Sequence, residues 1–457
     1  ALTQLGVNIK VKNNDAIITG NLGNFKSKGD IYIGNSGTCM RFLISLIAFH
    51  CQNDCIITGD NRMKKRPIDD LVNSLLEFGV KIDYLEKEGY PPIKIHGDIK
   101  DSGKDIKINT IKSSQFVSGL LMTLPSYREI KLTINSDIVS YTFIELTLNL
   151  MKQFKIDITQ NKNCFEIKKQ NYILKPTHIV SADATACIYP IVAGILTNKK
   201  VKILNLASNN LQGDLKHCVQ TIRNIGYEVV LKENYYSINP NKINNNNFSN
   251  LNLDSSDTFL TIAIILPFLM KKFKVFNIEN QNIKESNRID ITYDYMKNMG
   301  FNIEKENLEL IINSNQLLNL DGIFIDCHND HRIAMTFALL STKMDNIILS
   351  NYKCVEKTYP KYWEDISKFG IKIRDRSNNK FKNKNKPYIL IGPPAVGKSY
   401  LIKSFKKGSY YETDLLFEDI VTYIKINFKK FAYVSDQNLG GLIFNLHQSE
   451  INLLEID

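Results

Sequence analysis

The sequence lacks long apolar runs and any recognisable leader segment. No stretch of the 457 residues approaches the roughly 20 consecutive apolar residues that a membrane-spanning helix needs. The first residues, Ala1-Leu-Thr-Gln-Leu-Gly, match neither a signal peptide nor an initiator methionine, so we expect the chain to begin inside a longer protein. These absences favour an ordinary soluble globular protein that is cytoplasmic and has no membrane partner.

The sequence also lacks paired cysteines. Its eight cysteines are scattered through apolar context and form no C-x-x-C pair. This pattern is typical of buried free thiols in a reducing compartment and not of a disulfide framework. A metal site at Cys51 and Cys55 is the alternative for that one pair.

The charge balance is basic without being concentrated. Lys and Arg number 58 against 47 Asp and Glu, a formal net charge of +11, and the lysines are dispersed. Such a balance suits anionic small substrates as well as it suits nucleic acid.

The length predicts two or three domains, each large enough to bury a core.

One short phrase recurs along the chain at nearly constant spacing. It consists of a large apolar residue, usually a glycine, and then a β-branched or aromatic residue, as where a helix ends and a strand begins. Its central positions are 6, 79, 155, 226, 300 and 370, which are 70 to 76 residues apart. Six copies at nearly one period predict six similar α/β units. Because the first copy begins at Leu5, we expect most of the first unit to lie upstream of Ala1.

The six units divide into two domains, and a third module follows. The composition changes near residue 180, because a predicted helix rich in small residues follows Asp183. We therefore place the first domain at 1–180 and the second at 181–373. Residues 374–387 are polar and charged without apolar periodicity, which predicts a linker. Residues 388–457 then begin a different module, which we expect to continue beyond Asp457 because a P-loop domain needs more strands.

The stretch richest in catalytic residue types runs from Asn280 to Arg288, N-Q-N-I-K-E-S-N-R. It follows a strand-like apolar run and opens an amphipathic helix, so Lys284, Glu285 and Arg288 are predicted near a helix N-terminus. Backbone amides and the helix dipole favour an anion there. This pattern predicts an acid/base group beside an anion site, with a solvated first turn as the alternative.

Motifs in the first half put small polar residues or arginines at turns. Gly37, in G-N-S-G-T-C-M-R-F-L, opens a helix whose amides can approach an anion closely because Gly37 has no side chain. The turn G-D-N-R-M-K-K-R-P presents Arg62. Polar residues that open two further helices are Ser113, Ser114, Gln115 and Ser140. Each motif alone is typical of a helix cap, but at equivalent points of repeated units they predict one anion-binding face.

Motifs in the second half supply acid/base groups and more cations. Asp257 stands at a predicted helix start, N-D-H-R-I-A-M places Arg332 at another, and Lys357 precedes a proline in V-E-K-T-Y-P. A metal site built from Asp326, Cys327, His328 and His331 is the alternative for this region. The spacing of these residues matches neither H-E-x-x-H nor a zinc finger, which disfavours it.

The last module contains the motif G-P-P-A-V-G-K-S at 392–399, between a strand-like run and an amphipathic helix. It fits G-x-x-x-x-G-K-[ST], in which Gly392 and Gly397 shape a phosphate-cradling loop. Lys398 is predicted to reach the β- and γ-phosphates and Ser399 to bind Mg²⁺. The module is therefore predicted to use ATP and Mg²⁺.

Seven of these motifs, in this order, resemble the 5-enolpyruvylshikimate-3-phosphate synthase family over residues 1 to about 373. They are G-N-S-G-T-C-M-R, R-M-K-K-R-P, S-S-Q-F, Asp257, N-Q-N-I-K-E-S-N-R-I, N-D-H-R-I-A-M and K-T-Y-P. The resemblance implies two lobes of three βαβαββ units each, closing on substrates between them, and a role in chorismate and aromatic amino acid biosynthesis. A synthase followed by a linker and a shikimate kinase-like P-loop resembles the multifunctional AROM polypeptide.

The resemblance also implies a reaction and its residues. The 5-hydroxyl of shikimate 3-phosphate would add to phosphoenolpyruvate, and phosphate would leave, without a cofactor. The catalytic residues implied are Asp257, Glu285 and Lys284. Those implied for phosphoenolpyruvate are Gly37, Arg62, Gln115, Arg288, Arg332 and Lys357. Those implied for shikimate 3-phosphate are Ser113, Ser114, Gln115, Ser140, Asn280 and Lys284, and Asp414 resembles a shikimate-binding aspartate of the kinase.

The same resemblance bears on partners and rivals. It implies that the partners are small-molecule substrates and not nucleic acid. It leaves open whether the parent polypeptide is a homodimer. The related transferase acting on UDP-N-acetylglucosamine is a rival, but it lacks the S-S-Q and K-E-x-x-R pattern seen here. A catalytically inactive scaffold, or an anion- or nucleic-acid-binding fragment, is the rival from another class. Its weakness is that the arginines lie in turn motifs and not in stripes interleaved with aromatic residues.

Overall fold

The computed structural model of this chain describes residues 1–375, with short gaps, and residues 453–456. The gaps are 14, 98, 100, 111, 138–140, 175–176, 207–211, 233–234, 243–249, 253–256, 271 and 314–320. Ser140, nearly all of the predicted linker, and the predicted P-loop residues Gly392, Gly397, Lys398, Ser399 and Asp414 lie outside the described residues.

The first half of the chain alternates short strands with helices. Its strands are β1 (Asn8–Lys12), β2 (Asp15–Thr19), β3 (Ile31–Tyr32), β4 (Cys55–Thr58), β5 (Ile82–Tyr84), β6 (Ile93–Ile95), β7 (Ile106–Ile108), β8 (Ile130–Ile134), β9 (Ile158–Asn161) and β10 (Cys164–Ile167). Its helices are α1 (Gly37–His50), α2 (Asp69–Phe78), α3 (Gln115–Thr123) and α4 (Tyr141–Gln153).

The second half repeats the alternation. Its helices are α5 (Ile188–Leu196), α6 (Gly213–Asn224), α7 (Phe259–Ile265), α8 (Arg288–Asn298), α9 (His331–Ala338) and α10 (Tyr362–Ser367). Its strands are β11 (Val201–Leu204), β12 (Tyr227–Leu231), β13 (Tyr235–Lys242), β14 (Asn250–Asn252), β15 (Lys272–Phe276), β16 (Asn302–Glu306), β17 (Glu309–Asn313), β18 (Asp321–Asp326), β19 (Asp345–Ser350), β20 (Ile373–Asp375) and β21 (Leu453–Ile456).

Four sheets share one strand order, which confirms a repeated α/β unit. Their orders are β3-β4-β6-β5, β7-β8-β10-β9, β14-β15-β17-β16 and β18-β19-β21-β20. In each sheet the first two strands are parallel and the remaining neighbours antiparallel. Parallel neighbours need a helical crossover, whereas antiparallel neighbours can follow a turn, so this order is the one that a βαβαββ sequence makes. In the fourth sheet the last strand, β21, comes from Leu453–Ile456, which corrects the assignment of these residues to the separate module at 388–457. The described residues also form the hairpin β1-β2 and the three-stranded sheet β11-β13-β12.

The recurring phrase is confirmed by the backbone at all six of its positions. Its central residue has positive φ, between 82° and 112° at the five glycines and 65° at Lys155. A left-handed residue after the last helical turn redirects the chain into the next strand, and glycine adopts it without a Cβ clash. Lys155 is the copy in which a side chain occupies that conformation.

The described residues bury two hydrophobic cores. One runs from Leu5 to Ile167 and packs α1 and α3 against β4, β6, β7 and β8; the other runs from Ala184 to Ile371 and surrounds α5, α7 and α9. We refer to the parts of the chain around them as the first and second lobes. Between the two lobes lies a cavity of about 300 Å³.

The cysteines are free, and five of the eight are buried, while Cys164 and Cys354 are half-buried. The prediction of buried thiols is wrong for Cys39, which is exposed because it lies in the first turn of α1 beside the cavity mouth. Within the described part of the chain, every helix is too short or too polar to cross a membrane.

Candidate active site

The cavity between the lobes brings most of the predicted site residues together. Predicted residues that line it are Gly37, Ser113, Ser114, Gln115, Asp257, Asn280, Lys284, Glu285, Arg288, Arg332 and Lys357. Among all its described lining residues, seven are Lys or Arg and three are Asp or Glu. The cavity is therefore electropositive and suited to anionic ligands.

The N-terminus of α1 forms one wall. Ser36 caps the helix by accepting a hydrogen bond from the backbone N–H of Cys39 (3.3 Å), and Gly37 is the first helical residue. The guanidinium of Arg66 lies against Gly37, so that a Cβ at this position would fall 2.6 Å from Arg66 Nη2. A side chain at position 37 therefore cannot be added unless Arg66 moves.

Arg62 reaches from the first lobe to the second. Asp60 Oδ1 accepts hydrogen bonds from the backbone N–H groups of Arg62 (3.0 Å) and Met63 (2.8 Å), which fixes the turn before the 3₁₀ segment Met63–Lys65. Arg62 Nη2 then donates to the backbone carbonyl of Lys284 at 2.6 Å. Arg62 does not line the cavity itself but joins its two walls at the rim.

The motif K-S-S-Q-F opens α3, as predicted. Gln115 is the first residue of this helix, and its backbone N–H donates to Ser113 Oγ at 3.2 Å. Gln115 Nε2 donates to Thr38 Oγ1 at 2.9 Å, which joins α3 to the start of α1. Ser113 and Gln115 therefore present hydrogen-bonding groups to the cavity beside Gly37.

Asp257 lies just before α7 and contacts three cations. Arg288 Nη1 donates to its Oδ1 at 3.2 Å and Arg332 Nη2 to its Oδ2 at 3.0 Å, while Lys284 Nζ lies 3.4 Å from Oδ1. Burial acts to raise the pKa of Asp257, but the charges of Arg332 and Lys284 outweigh it and hold the pKa well below its usual value. The carboxylate is therefore ionised.

Lys284 and Glu285 lie just before α8, near its N-terminus as predicted. They follow the 3₁₀ segment Glu279–Ile283, and α8 begins at Arg288 because Asn287 caps it, accepting from the backbone N–H of Asp290 at 3.2 Å. Burial lowers the pKa of Lys284, although Asp257 opposes the shift. The turn lets both side chains reach the cavity floor.

Arg288 is 2% exposed and is held by a fork of hydrogen bonds. Its Nε and Nη2 donate to the two carboxylate oxygens of Asp330 at 2.8 and 3.1 Å, and Nη1 also donates to Gln281 Oε1 at 3.1 Å. These bonds, together with the one to Asp257, use four of the five guanidinium N–H groups. Arg288 therefore lines the cavity and also holds the carboxylates of Asp257 and Asp330 in position.

Glu285 is enclosed by a lysine and a histidine. Lys357 Nζ donates to Glu285 Oε1, and His331 Nδ1 lies 2.8 Å from Oε2. Burial acts to raise the pKa of Glu285, but His331 and Arg288 outweigh it and hold the pKa well below its usual value. Lys357 also donates to the backbone carbonyl of Asn35 at 3.1 Å, a second bond between the lobes.

Asp330 organises the base of the site. It is 0% exposed and caps α9, its Oδ1 accepting from the backbone N–H of Arg332 at 2.9 Å. Ser286 Oγ donates to its Oδ2 at 2.8 Å. As predicted, N-D-H-R starts a helix, and this start places His331 and Arg332 in the first turn, facing the cavity.

Three of these groups meet the distance requirement of a metal site. Ligand atoms of Glu285, Asp330 and His331 lie within 4.8 Å of one another. Both carboxylates are already paired with cations, Glu285 with Lys357 and Asp330 with Arg288, so a divalent ion would have to displace two positive charges. The donor set does not fit a resident metal.

Sequence reasoning missed Arg41 and left Arg66, Asp330 and His331 without roles. Arg41 lies among the buried residues of α1, and its Nη1 donates to Ser113 Oγ at 3.1 Å and to Gln115 Oε1 at 2.7 Å. Burial and the charge of Arg66 lower the pKa of Arg41 to about 9. An arginine on the apolar face of a predicted helix was the signal that could have identified it.

Comparisons with known proteins point to one family. The model of the EPSP synthase family (3-phosphoshikimate 1-carboxyvinyltransferase) matches residues 1–366. The 3-phosphoshikimate 1-carboxyvinyltransferase of Citrobacter koseri is 31% identical over 378 residues, covering 80% of this chain and 86% of that protein. The enzyme of the same name from Escherichia coli K12 is 32% identical over 378 residues with the same coverage. The Vibrio vulnificus enzyme is 30% identical over 377 residues, again covering 80% and 86%.

Solved structures show the fold. Two structures of EPSP synthase from Acinetobacter baumannii match with TM-scores of 0.61 and 0.63, at 22% and 21% identity. Each alignment covers 80% of this chain, and 85% and 84% of the respective Acinetobacter chains.

Proposed function

Because this chain belongs to the EPSP synthase (3-phosphoshikimate 1-carboxyvinyltransferase) family, we propose that it joins the enolpyruvyl group of phosphoenolpyruvate to the 5-hydroxyl of shikimate 3-phosphate. The observation that carries the proposal is the meeting of Asp257, Lys284 and Glu285 in one electropositive cavity. Both substrates are multiply charged anions, and the cavity holds a surplus of cations for them. The excess of positive charge also explains why the carboxylates of the site are ionised.

Asp257 is the proposed base for the first step. Its ionised carboxylate accepts the proton of the 5-hydroxyl while that oxygen bonds to C2 of phosphoenolpyruvate. Arg332 and Lys284 hold the carboxylate in place. Lys284, whose pKa is lowered by burial, contributes positive charge beside the reacting hydroxyl.

Glu285 is the proposed proton carrier for C3. The C3 carbon accepts a proton from Glu285 as the C2–O bond forms, and returns one when phosphate leaves and the enol double bond is restored; the proton that Asp257 took passes to the departing phosphate. Its lowered pKa keeps Glu285 ionised in the protein alone. Bound phosphoenolpyruvate brings negative charge next to Lys357 and Arg288, which raises the pKa of Glu285 and allows it to carry a proton.

The cations have separable proposed roles. Arg332, Lys357, Arg62 and the amides at Gly37 hold the carboxylate and phosphate of phosphoenolpyruvate, since arginine binds both groups with two parallel hydrogen bonds. Ser113, Ser114, Gln115 and Asn280 hold shikimate 3-phosphate, with Ser140 proposed from the sequence. Closure of the lobes aligns the reactants and excludes water.

The test is release of inorganic phosphate by the protein given both substrates. We expect release that requires both, and a loss of at least about 100-fold in kcat for Glu285→Gln while the affinity for shikimate 3-phosphate stays within a few fold. Asp257→Asn should behave similarly. Tight binding of shikimate 3-phosphate without turnover in the unaltered protein would favour the inactive scaffold.

We further propose that the P-loop motif at 392–399 begins a kinase module that binds ATP and Mg²⁺, as in the AROM polypeptide; the strand β21 at Leu453–Ile456 pairs with β19 and β20 and is not part of it. The support is the motif G-P-P-A-V-G-K-S alone. Lys398→Ala should abolish binding of a fluorescent ATP analogue and leave phosphate release from phosphoenolpyruvate unchanged. A cytoplasmic location and a homodimeric parent polypeptide remain predictions.

A further inference from the structure

Arg41 is a buried cation whose charge is not neutralised by a carboxylate. It is 6% exposed, and within the part of the chain that the structure describes no Asp or Glu oxygen lies within 4.0 Å of its guanidinium. The nearby Arg66 is also buried and also without a carboxylate at that distance among the described residues. A buried guanidinium without an ion-paired carboxylate is costly to a folded protein, so the presence of Arg41 calls for a role outside stability. For Arg66 the charges of Glu285 and Asp257 offset part of that cost.

The bonds from Arg41 determine which way Ser113 faces. Ser113 Oγ accepts from Arg41 Nη1 at 3.1 Å and from the backbone N–H of Gln115 at 3.2 Å. A hydroxyl oxygen has two lone pairs and one proton. Because both lone pairs are taken, Ser113 can interact with a ligand only by donating its proton.

The same guanidinium determines the orientation of the Gln115 amide. Gln115 Oε1 accepts from Arg41 Nη1 at 2.7 Å, which leaves Nε2 on the other side, where it donates to Thr38 Oγ1 at 2.9 Å. Arginine has no acceptor, so the flipped amide would place its two N–H groups against the guanidinium and lose the bond to Arg41. Gln115 therefore also presents N–H to the cavity.

We propose that Arg41 is a positioning residue that makes Ser113 and Gln115 donors toward the phosphate of shikimate 3-phosphate. The proposal rests on the proposed function and adds to it a residue that lies behind the ligand contacts. A fully ionised phosphate only accepts hydrogen bonds at neutral pH, so a donor-only wall selects it over a ligand hydroxyl or amide. The unneutralised charge of Arg41 and Arg66 adds attraction for the same group.

The surroundings of Arg41 allow a substitution that affects ligand binding without lowering the stability of the folded protein. Its Cζ lies 5.2 Å from the ring centroid of Phe116, so methionine at position 41 would fill the same apolar surroundings. Loss of an unneutralised buried charge should leave the melting temperature of the ligand-free protein unchanged or raise it. A residue kept for packing or folding would show the opposite.

The experiment is a double-mutant cycle of Arg41→Met and Gln115→Ala on the full 457-residue chain. Calorimetry measures the dissociation constants for shikimate 3-phosphate and for inorganic phosphate, and thermal unfolding measures stability. We expect each single variant to weaken binding of shikimate 3-phosphate by about 10- to 100-fold. The dissociation constant of the double variant should be close to that of whichever single variant binds less tightly. Arg41→Lys should recover part of the affinity through charge, because lysine cannot bridge both acceptors.

The outcomes separate this proposal from the proposed function. Additive losses, unchanged affinity, or a fall in melting temperature without a change in affinity would each overturn the role of Arg41. Arg128→Met, which changes an arginine paired with Asp101 away from the cavity, is the matched control and should leave affinity unchanged. If the protein binds inorganic phosphate in an Arg41-dependent way but does not turn over both substrates, the proposed function fails and the positioning role stands. If it binds neither shikimate 3-phosphate nor phosphate, both fail.

Discussion

At the scale of single residues, the site is a cluster of buried charges in which Asp257, Glu285 and Asp330 each have a cation beside them. Asp330 and Arg288 form its most buried pair, with side chains 0% and 2% exposed, joined by two hydrogen bonds. Such a pair is weak evidence for net stability, but removing one partner leaves the other charge buried without compensation. The pair also holds Arg288 where it contacts Asp257. The same buried pair therefore affects both the stability of the fold and the position of the proposed base.

Asp330→Asn should destabilise the protein by about 3–5 kcal/mol, the usual cost of leaving one member of a buried pair without its partner. Asparagine is a good helix cap, so the loss reports the charge and not the cap of α9. Urea denaturation measures it. The matched control is Asp101→Asn, which breaks the more exposed pair with Arg128 and should cost under about 1 kcal/mol. Equal losses in the two variants would contradict the prediction.

The loss of folding stability at acid pH should depend on the same carboxylates. The folded-state pKa values of Asp257, Glu285 and Asp330 are all lowered, so the unfolded chain binds more protons at acid pH. Their contribution is fully present above the unfolded pKa values of about 4 and is lost as pH falls through the folded values. The melting temperature should change little from pH 7 to pH 5 and fall steeply below about pH 4. In Asp330→Asn this fall should be shallower, and identical slopes would rule the explanation out.

At the scale of secondary-structure elements, one device recurs: a helix ends in a left-handed residue and a strand begins. Glycine occupies it in five copies and Lys155 in the third. A side chain in this conformation is strained by contact between Cβ and the neighbouring carbonyl. The repeat thus contains its own comparison between glycine and a residue with a Cβ.

Lys155→Gly should stabilise the protein by about 0.5–1 kcal/mol, because strain is relieved at an exposed position. Gly79→Ala, at the equivalent place after α2 with φ of 112°, should destabilise by about 1 kcal/mol or more. Chemical denaturation of both variants tests the pair. A loss of stability in Lys155→Gly would mean that the lysine side chain contributes more than its backbone strain costs.

The start of α1 is the element whose integrity most directly affects ligand binding. Gly37→Ala would place Cβ 2.6 Å from Arg66 Nη2 and 2.7 Å from its Cζ, so the guanidinium must move. Alanine favours helix, so we expect little change in stability but at least about tenfold weaker binding of phosphoenolpyruvate, measured by calorimetry. Gly20→Ala is the control, since a Cβ there meets nothing within 4 Å. Unchanged affinity in Gly37→Ala would show that Arg66 and the α1 amides do not contribute to the anion site.

At the scale of the whole molecule, the sequence predicted repeats better than it predicted contacts. Glycine phrases and helix starts are local, so the six units and the motifs at Gly37, Gln115 and Asp330 could be read from neighbouring residues. The bonds of Arg62 to Lys284 and of Lys357 to Asn35 span 222 and 322 residues, and no local pattern signals them. The position of Arg41 on the apolar face of α1 is a local signal, but its acceptors lie in α3 and the turn before it, so no local pattern shows what it binds. The domain boundary near residue 180 stays a prediction, favoured by the separation of the two cores.

Those two long-range bonds make the arrangement of the lobes itself testable. Arg62 and Lys357 approach from opposite lobes, and each donates to a backbone carbonyl of the other lobe at the cavity rim. Arg62→Met removes one bond without touching either core. We expect the ligand-free variant to populate a more open arrangement, with a radius of gyration larger by about 1 Å or more in small-angle scattering, because hinge motion about a two-lobed fold moves whole lobes. Shikimate 3-phosphate should reduce this difference, since a ligand held by both lobes favours closure. Arg128→Met, whose arginine bonds within the first lobe, should scatter as the unaltered protein does. An unchanged radius in Arg62→Met would mean that the remaining contacts between the lobes hold them closed and that Arg62 serves the ligand alone.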